Sequence, residues 1–397
     1  MSFAERAAAL SKSATQAIND RAAELKRQGR DLIDLGAGEP RFEEPRSAKY
    51  AGKQAIEDGF TNYTEAGGTP ELRYAILQRY ERLYGVDPTG LSAIATTGAK
   101  AGLYGISQLL FEPGDEVILP RPYWVSYPTQ VKLAGAEPLF VSGQAENHYL
   151  PEPEDIERTI TDQTRGILIN SPSNPTGGVY DRDQGEKLVD LARSEDLFLI
   201  SDECYDGFVY QKDSFWTLAT SGYEKGLVVG SASKNFAMTG WRLGYIIGSP
   251  EYVDPLENLQ SHLTSSPPAI SQKAGEAALR SDLTLDESTR HRYRRRRNGL
   301  ADRLDQLPGV DCTRPPGSFY VYPDVKGLLT RMDKGQEDDE ELARLLLEEA
   351  GVVTVPGGAF GKPGHLRMAY LPEIDRLEEA VERIEETVGS TLEEPDC

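Results

Sequence analysis

Between about Ser92 and Pro250 the chain repeats one pattern: a short, nearly unbroken apolar run, a turn, then a helical stretch. The runs are residues 94–97, 116–119, 166–169, 198–201, 227–230 and 245–247. A strand with one wet face alternates apolar and polar residues, whereas an unbroken run belongs to a strand covered on both faces. Helical crossovers make such neighbours parallel. The pattern therefore predicts an α/β fold around a largely parallel sheet between helices.

At 397 residues the chain exceeds the roughly 250 to 300 that one core supports, so a second domain is expected. Downstream, residues 285–307 read as a long charged helix ending near Pro308-Gly309, and residues 310–368 as mixed strands with one helix at 338–350. Upstream, a helix at 14–28 stops at Gly29 and precedes the apolar stretch 32–35 and the turn Gly36-Ala37-Gly38-Glu39-Pro40. The expected division is a large domain, 45–285, and a discontinuous smaller α+β domain, 1–44 with 286–397, whose acidic tail, 393–397, is disordered.

Nothing in the sequence approaches the roughly 20 apolar residues of a membrane span, and residues 1–6 carry neither a secretory nor an organelle signal, so a cytoplasmic protein is expected. Cys204, Cys312 and Cys397 are odd in number and at no metal-ligand spacing, which argues against a disulfide framework or a metal site. Asp and Glu number 64 against 43 Lys and Arg, and the net charge of −21 repels nucleic acid and anionic membranes. Both a salt-adapted enzyme and an ordinary acidic one have this balance. The one basic run, 292–297, lies inside a predicted helix between acidic residues.

In open α/β sheets ligands bind beyond the carboxyl ends of the strands. After Thr97 comes Gly98-Ala99-Lys100-Ala101, where small residues open a helix and expose N–H groups to a phosphate; alone, this is a common packing turn. After Ile169 a proline-fixed turn presents the Asn174 amide, or is merely a rigid loop. After Ser201 come Asp202, Glu203, Cys204 and Tyr205. Asp202 suits a pyridinium nitrogen, although a single such carboxylate is more often a helix cap, and Cys204 reads as a small buried filler. After Gly230 comes SASKNFAMTGWRLGY, residues 231–245. Lys234 is the candidate nucleophile, since a desolvated amine near cations becomes neutral and reactive. Arg242, with the Ser231 and Ser233 hydroxyls, suits a phosphate dianion. Each lysine or arginine alone would be a surface residue, but four strand ends deliver complementary groups.

With GEP at 38–40, NYTEAGGTPELR at 62–73, PYWVSYP at 122–128, SPSNPTGG, SDECY and HLRMAY at 365–370, these residues resemble the class I, fold-type I aminotransferases of the aspartate aminotransferase family. The resemblance runs from about Ala14 to near the C-terminus and leans to the bacterial and archaeal aspartate or aspartate/prephenate group. It implies a seven-stranded sheet and pyridoxal 5′-phosphate as cofactor. Lys234 then resembles the Schiff-base lysine that also moves the substrate proton, and Asp202 the partner of the pyridine nitrogen. Asn174 and Tyr205 resemble the pair on the phenolic oxygen, and Trp124 the ring that stacks on the pyridine. Gly98, Ala99, Ser231, Ser233 and Arg242 resemble the phosphate cup, and Tyr63 the residue that reaches the phosphate of a second subunit, which implies a homodimer. Arg367 resembles the grip on the substrate α-carboxylate, helped by the Gly38 backbone and Asn174.

Residues 261–268 lack the distal-carboxylate arginine of eukaryotic-type relatives, and Lys100, with Ser13 and Thr15 nearby, stands where the bacterial group places its lysine. A solvent-facing or cofactor-contacting Lys100 stays open. Arg41 and Ala99 depart from that group's usual Asp and Gly, and Arg41 bears on the site mouth. The implied reaction is ping-pong transfer from an L-amino acid, aspartate first, to 2-oxoglutarate. Prephenate, aromatic or broad-range transfer, a C–S or cyclopropane-forming lyase, and a cofactor-binding regulator module are the alternatives.

Overall fold

The computed structural model describes residues 14–211, 215–281 and 285–393. After the short β1 (Ile33–Asp34), seven strands form one sheet: β2 (Ser92–Thr96), β3 (Glu116–Arg121), β4 (Glu137–Ser142), β5 (Thr164–Asn170), β6 (Phe198–Asp202), β7 (Gly226–Ser231) and β8 (Gly244–Gly248). Their order is β2-β8-β7-β6-β5-β3-β4. β8 runs antiparallel to both its neighbours, and every other pair is parallel.

The unbroken apolar runs divide residue by residue between two cores. Ile167, Ile169, Leu199, Val228 and Ile247 enter one, under helices Pro70–Tyr84, Arg182–Ser194 and Ala269–Arg280. Leu168, Ile200, Leu227, Val229 and Ile246 enter the other, under Ala99–Leu110 and Pro250–Leu263. Six strands fall on the six runs. β4 had no such signal because its Glu137-Pro138 start and half-exposed residues suit an edge, where a proline forfeits no ladder bond.

A third core joins helices Glu287–Asp305 and Ile374–Glu393 to β9 (Tyr320–Val321), β10 (Val352–Val353) and β12 (Leu366–Ala369), while Val355 of β11 (Val355–Pro356) packs in a small separate cluster with Tyr322 and Phe360. β11, β12 and β9 form an antiparallel sheet, and β1 pairs in parallel with β10, which draws the N-terminal segment onto this body. The same core takes in Tyr205, Phe208 and Leu285.

The expected helix at 338–350 is α-helical over Asp339–Leu345 and closes in a π-turn, Leu346–Ala350, before Gly351 at φ 66°. A further short helix, Lys326–Arg331, is too brief for periodicity to reveal; Asp324 Oδ1 accepts from its first N–H at 2.9 Å. The basic run braces this body. Arg296 is buried, donates to the Leu371 carbonyl at 2.8 Å and pairs with Glu373; Arg297 donates to the Pro315 carbonyl at 2.8 Å and lies over Tyr210. Glu393 is helical, correcting the start of the expected disordered tail, and residues 394–397 lie outside the described residues, as does Ser13. Among the described residues no helix is long and apolar enough to cross a membrane, and no cluster of His, Cys, Asp and Glu is placed to hold a metal.

Candidate active site

The carboxyl ends of β2, β5, β6 and β7 open onto one cavity of about 360 Å³. Its wall includes Gly38, Ala99, Lys100, Trp124, Asn174, Asp202, Tyr205, Ser231, Ser233, Lys234, Arg242 and Arg367, all singled out from the sequence.

β7 ends at Ser231, whose hydroxyl accepts from the Ser233 N–H at 3.0 Å and so caps the short helix Ala232–Asn235. This turn sends Lys234 into the cavity, where Nζ donates to the Gly38 carbonyl at 2.6 Å. The next residue is anchored: the buried Asn235 amide donates to the buried Asp206, which also receives the buried Arg79 Nη2 at 2.6 Å and the part-exposed Tyr84 hydroxyl at 2.5 Å.

Asp202 closes β6. Its carboxylate accepts from the Tyr127 hydroxyl at 2.7 Å and the Cys204 N–H at 3.1 Å. Burial pushes its pKa above the usual carboxylate range, because those neutral donors do not replace the lost hydration. Cys204 lies beside it with its thiol pushed up by burial, a poor nucleophile.

The Asn174 N–H donates to Asn170 Oδ1 at 2.7 Å, and Asn170 Nδ2 to the Asp202 carbonyl at 2.8 Å, so the proline turn is fastened to β6. Asn174 Nδ2 then reaches the Tyr205 hydroxyl at 3.4 Å.

Gly98 is not among the cavity-lining residues; it stands just before Ala99 at φ 77°, and a Cβ there would stand 2.5 Å from Arg242 Nη2. Glycine is required for both reasons. Arg242 is fixed by donation to the Thr239 carbonyl at 2.8 Å. Lys100, an exposed side chain at the cavity wall, lies beside it with Nζ 4.8 Å from the Trp124 ring centre; partial loss of hydration first, then Arg242 and Lys234, lower its pKa.

Arg367, on β12, is buried. Nη1 donates to Asn174 Oδ1 at 3.1 Å and Nη2 to the Gly36 carbonyl at 2.7 Å, while Nε has no partner among the described residues. The guanidinium lies 4.3 Å from the Tyr320 ring centre.

Tyr63 is not brought to the cavity and stands 90% exposed. Arg41 lines a different cavity, with Phe42, Asn235 and Arg292. Thr15 lies in the first turn of the helix Ala14–Arg27. Tyr127, Asn170 and Tyr320 line the site without having been singled out. Tyr127 had a signal, three positions after Trp124 in PYWVSYP, and Asn170 is the first polar residue after its apolar run. Tyr320 had none.

Four cationic side chains, Lys100, Lys234, Arg242 and Arg367, thus face the carboxylates of Asp202 and Glu39, a site for a ligand with several negative groups and one positive centre at Asp202. The donor set fits pyridoxal phosphate. The glycine cradle and Arg242 suit its phosphate, the charge-poor surroundings of Asp202 suit a ring N–H⁺, Lys234 suits its aldehyde, and the free Arg367 Nε suits a substrate carboxylate.

The family of class I and II aminotransferases matches residues 30–384. The chain is 39% identical over 391 residues to the aspartate aminotransferase of Bacillus subtilis (strain 168), covering 98% of this chain and 99% of the relative. It is also 39% identical over 390 residues to the aspartate/prephenate aminotransferase of Thermus thermophilus, with the same coverage. The solved aspartate aminotransferase from Thermus thermophilus with maleate superposes with a TM-score of 0.90 at 39% identity, covering 98% of this chain and 100% of that one. That from Rhizobium meliloti gives 0.91 at 35% identity, covering 98% and 99%. The chain belongs to the class I and II aminotransferase family. It is a pyridoxal-phosphate-dependent aminotransferase, acting on amino acids and oxo acids.

Proposed function

We propose that the protein transfers the amino group of L-aspartate to 2-oxoglutarate. The observation that carries this reading is the pair of cations, Arg367 and Lys100, on one cavity wall. A forked guanidinium with a free Nε suits an α-carboxylate common to every substrate, and a second cation, the ammonium at the cavity wall, suits the distal carboxylate of aspartate or glutamate. The relatives' names support it, and maleate in the Thermus structure is a dicarboxylate. Prephenate, also acidic, would satisfy Lys100 equally, and the Thermus relative's name favours it as a second substrate.

When bound, pyridoxal phosphate supplies a ring that accepts the electrons left on the substrate Cα. Lys234 is the residue that would hold the cofactor's aldehyde carbon and, as a free amine, take and return the proton at the substrate Cα. Asp202 would keep the ring nitrogen protonated, and that charge would in turn favour the buried carboxylate's ionised form. Tyr205 and Asn174 would donate to the phenolic oxygen, and Trp124 would cover the ring. The Gly98 and Ala99 backbone, Ser231, Ser233 and Arg242 would hold the phosphate. The same residues would serve the return half-reaction with the second oxo acid.

The reading includes a cytoplasmic homodimer of two-domain subunits, residues 45–285 and residues 1–44 with 286–397, in which the exposed Tyr63 reaches the neighbour's phosphate. Single amino acids added to the cofactor-loaded protein should discharge its visible band fastest with aspartate and glutamate. Fast discharge by aromatic amino acids with none by aspartate would overturn the dicarboxylate reading. Lys234→Ala should bind the cofactor noncovalently with transfer reduced at least ~1,000-fold. Robust turnover in that variant would take Lys234 out of its role.

A further inference from the structure

Tyr320 is buried, lines the cavity and touches three of the groups assigned above. β9 sets Tyr320 opposite Ala369 on β12, so its ring lies diagonally across from Arg367 on one face. That register puts the ring 4.3 Å from the guanidinium carbon. At the far end its hydroxyl lies 3.3 Å from the Tyr205 hydroxyl. A Cβ on Gly38, whose carbonyl accepts from Lys234, would stand 2.9 Å from the same hydroxyl.

The protons of the two phenols can be counted. Among the described residues, Tyr205 is the one hydrogen-bond partner of the Tyr320 hydroxyl, and the Tyr205 oxygen also accepts from Asn174 Nδ2 at 3.4 Å. If Tyr205 donated to Tyr320, the Tyr320 proton would have no acceptor among the described residues, and Tyr205 would face the cavity with its own proton already spent. If Tyr320 donates instead, both acceptor positions of Tyr205 are filled by N–H and O–H groups, and its own proton is left for the cavity.

We propose that Tyr320 is a positioning residue for transamination: its hydroxyl, donating to Tyr205, aims the Tyr205 proton at the cofactor's phenolic oxygen, and its ring carries the Arg367 guanidinium. The inference rests on the aminotransferase reading of this cavity and deepens it. One side chain would then join the grip on the substrate carboxylate to the group that tunes the cofactor. A donor that itself accepts a hydrogen bond is polarised and donates more strongly, so the two phenols act in series.

The test uses the cofactor-loaded enzyme and two variants. Tyr320→Phe keeps the ring and removes the hydroxyl; Tyr320→Leu removes both. The midpoint of the visible-band pH titration and the Kd of maleate, a nonreacting dicarboxylate, are measured for each, with circular dichroism melting as a fold control. In Tyr320→Phe the midpoint should rise by roughly half a pH unit, the deprotonated cofactor having lost part of its stabilisation, while maleate Kd stays within about twofold. In Tyr320→Leu the same rise should come with maleate binding weakened about tenfold. A Tyr320→Phe midpoint equal to the parent's, with the melt unchanged, overturns the proposal, as does a Tyr320→Leu variant that binds maleate like the parent. Failure of the parent to form any visible band would instead remove the reading on which the inference stands.

Discussion

Arg367 is held before any substrate arrives. Two of its nitrogens are committed to Asn174 and Gly36, its face to Tyr320, and Nε alone is unclaimed. Lys100 is held loosely by comparison, over Trp124. Substitution should therefore separate the two. Lys100→Met should lower kcat/KM for aspartate by roughly 10- to 100-fold and leave a neutral amino acid little changed, because an ammonium with no carboxylate to meet contributes nothing to that substrate. Equal losses for both substrates would place Lys100 on the cofactor. The side chains of this site that can be read from the sequence are those that follow an apolar run directly, such as Asp202 after Ser201 or Lys234 in the turn after Gly230. Tyr320 cannot be read so: it sits in a two-residue strand of the other core, and its place against Arg367 exists only through the pairing of Tyr320 with Ala369.

Glu203 joins elements rather than meeting ligands. It follows β6 at once, and its carboxylate is buried while accepting from Thr217 Oγ1 at 2.7 Å, the Leu218 N–H and Ser201 Oγ at 3.0 Å, with Tyr80 at 3.4 Å. Burial outweighs these donors and pushes the carboxyl up to about 8. The folded state thus holds a proton that the unfolded state, near 4.5, has lost. Stability from this group is complete at low pH and falls as pH rises from about 4.5 through 8, by on the order of a few kcal/mol. Glu203→Gln should flatten that fall, as urea unfolding at about pH 6 and about pH 9 would reveal; parallel declines in parent and variant would rule Glu203 out as the cause. At this scale the six apolar strands were legible because burial on both faces leaves no polar break. β4, with its proline and exposed residues, and the short helix Lys326–Arg331 were not, since an edge strand and a helix of under two turns show too little periodicity.

For the whole molecule, the net charge of −21 is the dominant long-range term. Like charges repel most in the folded state, where they are closest, and salt shortens their reach to about 10 Å at 0.1 M and about 3 Å at 1 M. The melting temperature should therefore climb by several degrees between about 0.1 M and 2 M KCl; a flat or falling curve would leave an ordinary acidic enzyme. The division of the sheet between two cores bears on error as well as stability. Because successive residues of β5, β6 and β7 belong to opposite sides, sliding any of them by one position would exchange its packing partners wholesale and turn Asp202 or the Lys234 turn away from its companions. Misfiled strands are thereby made both unstable and inactive in one stroke, so that among the molecules of a preparation, counting the folded ones also counts the competent ones.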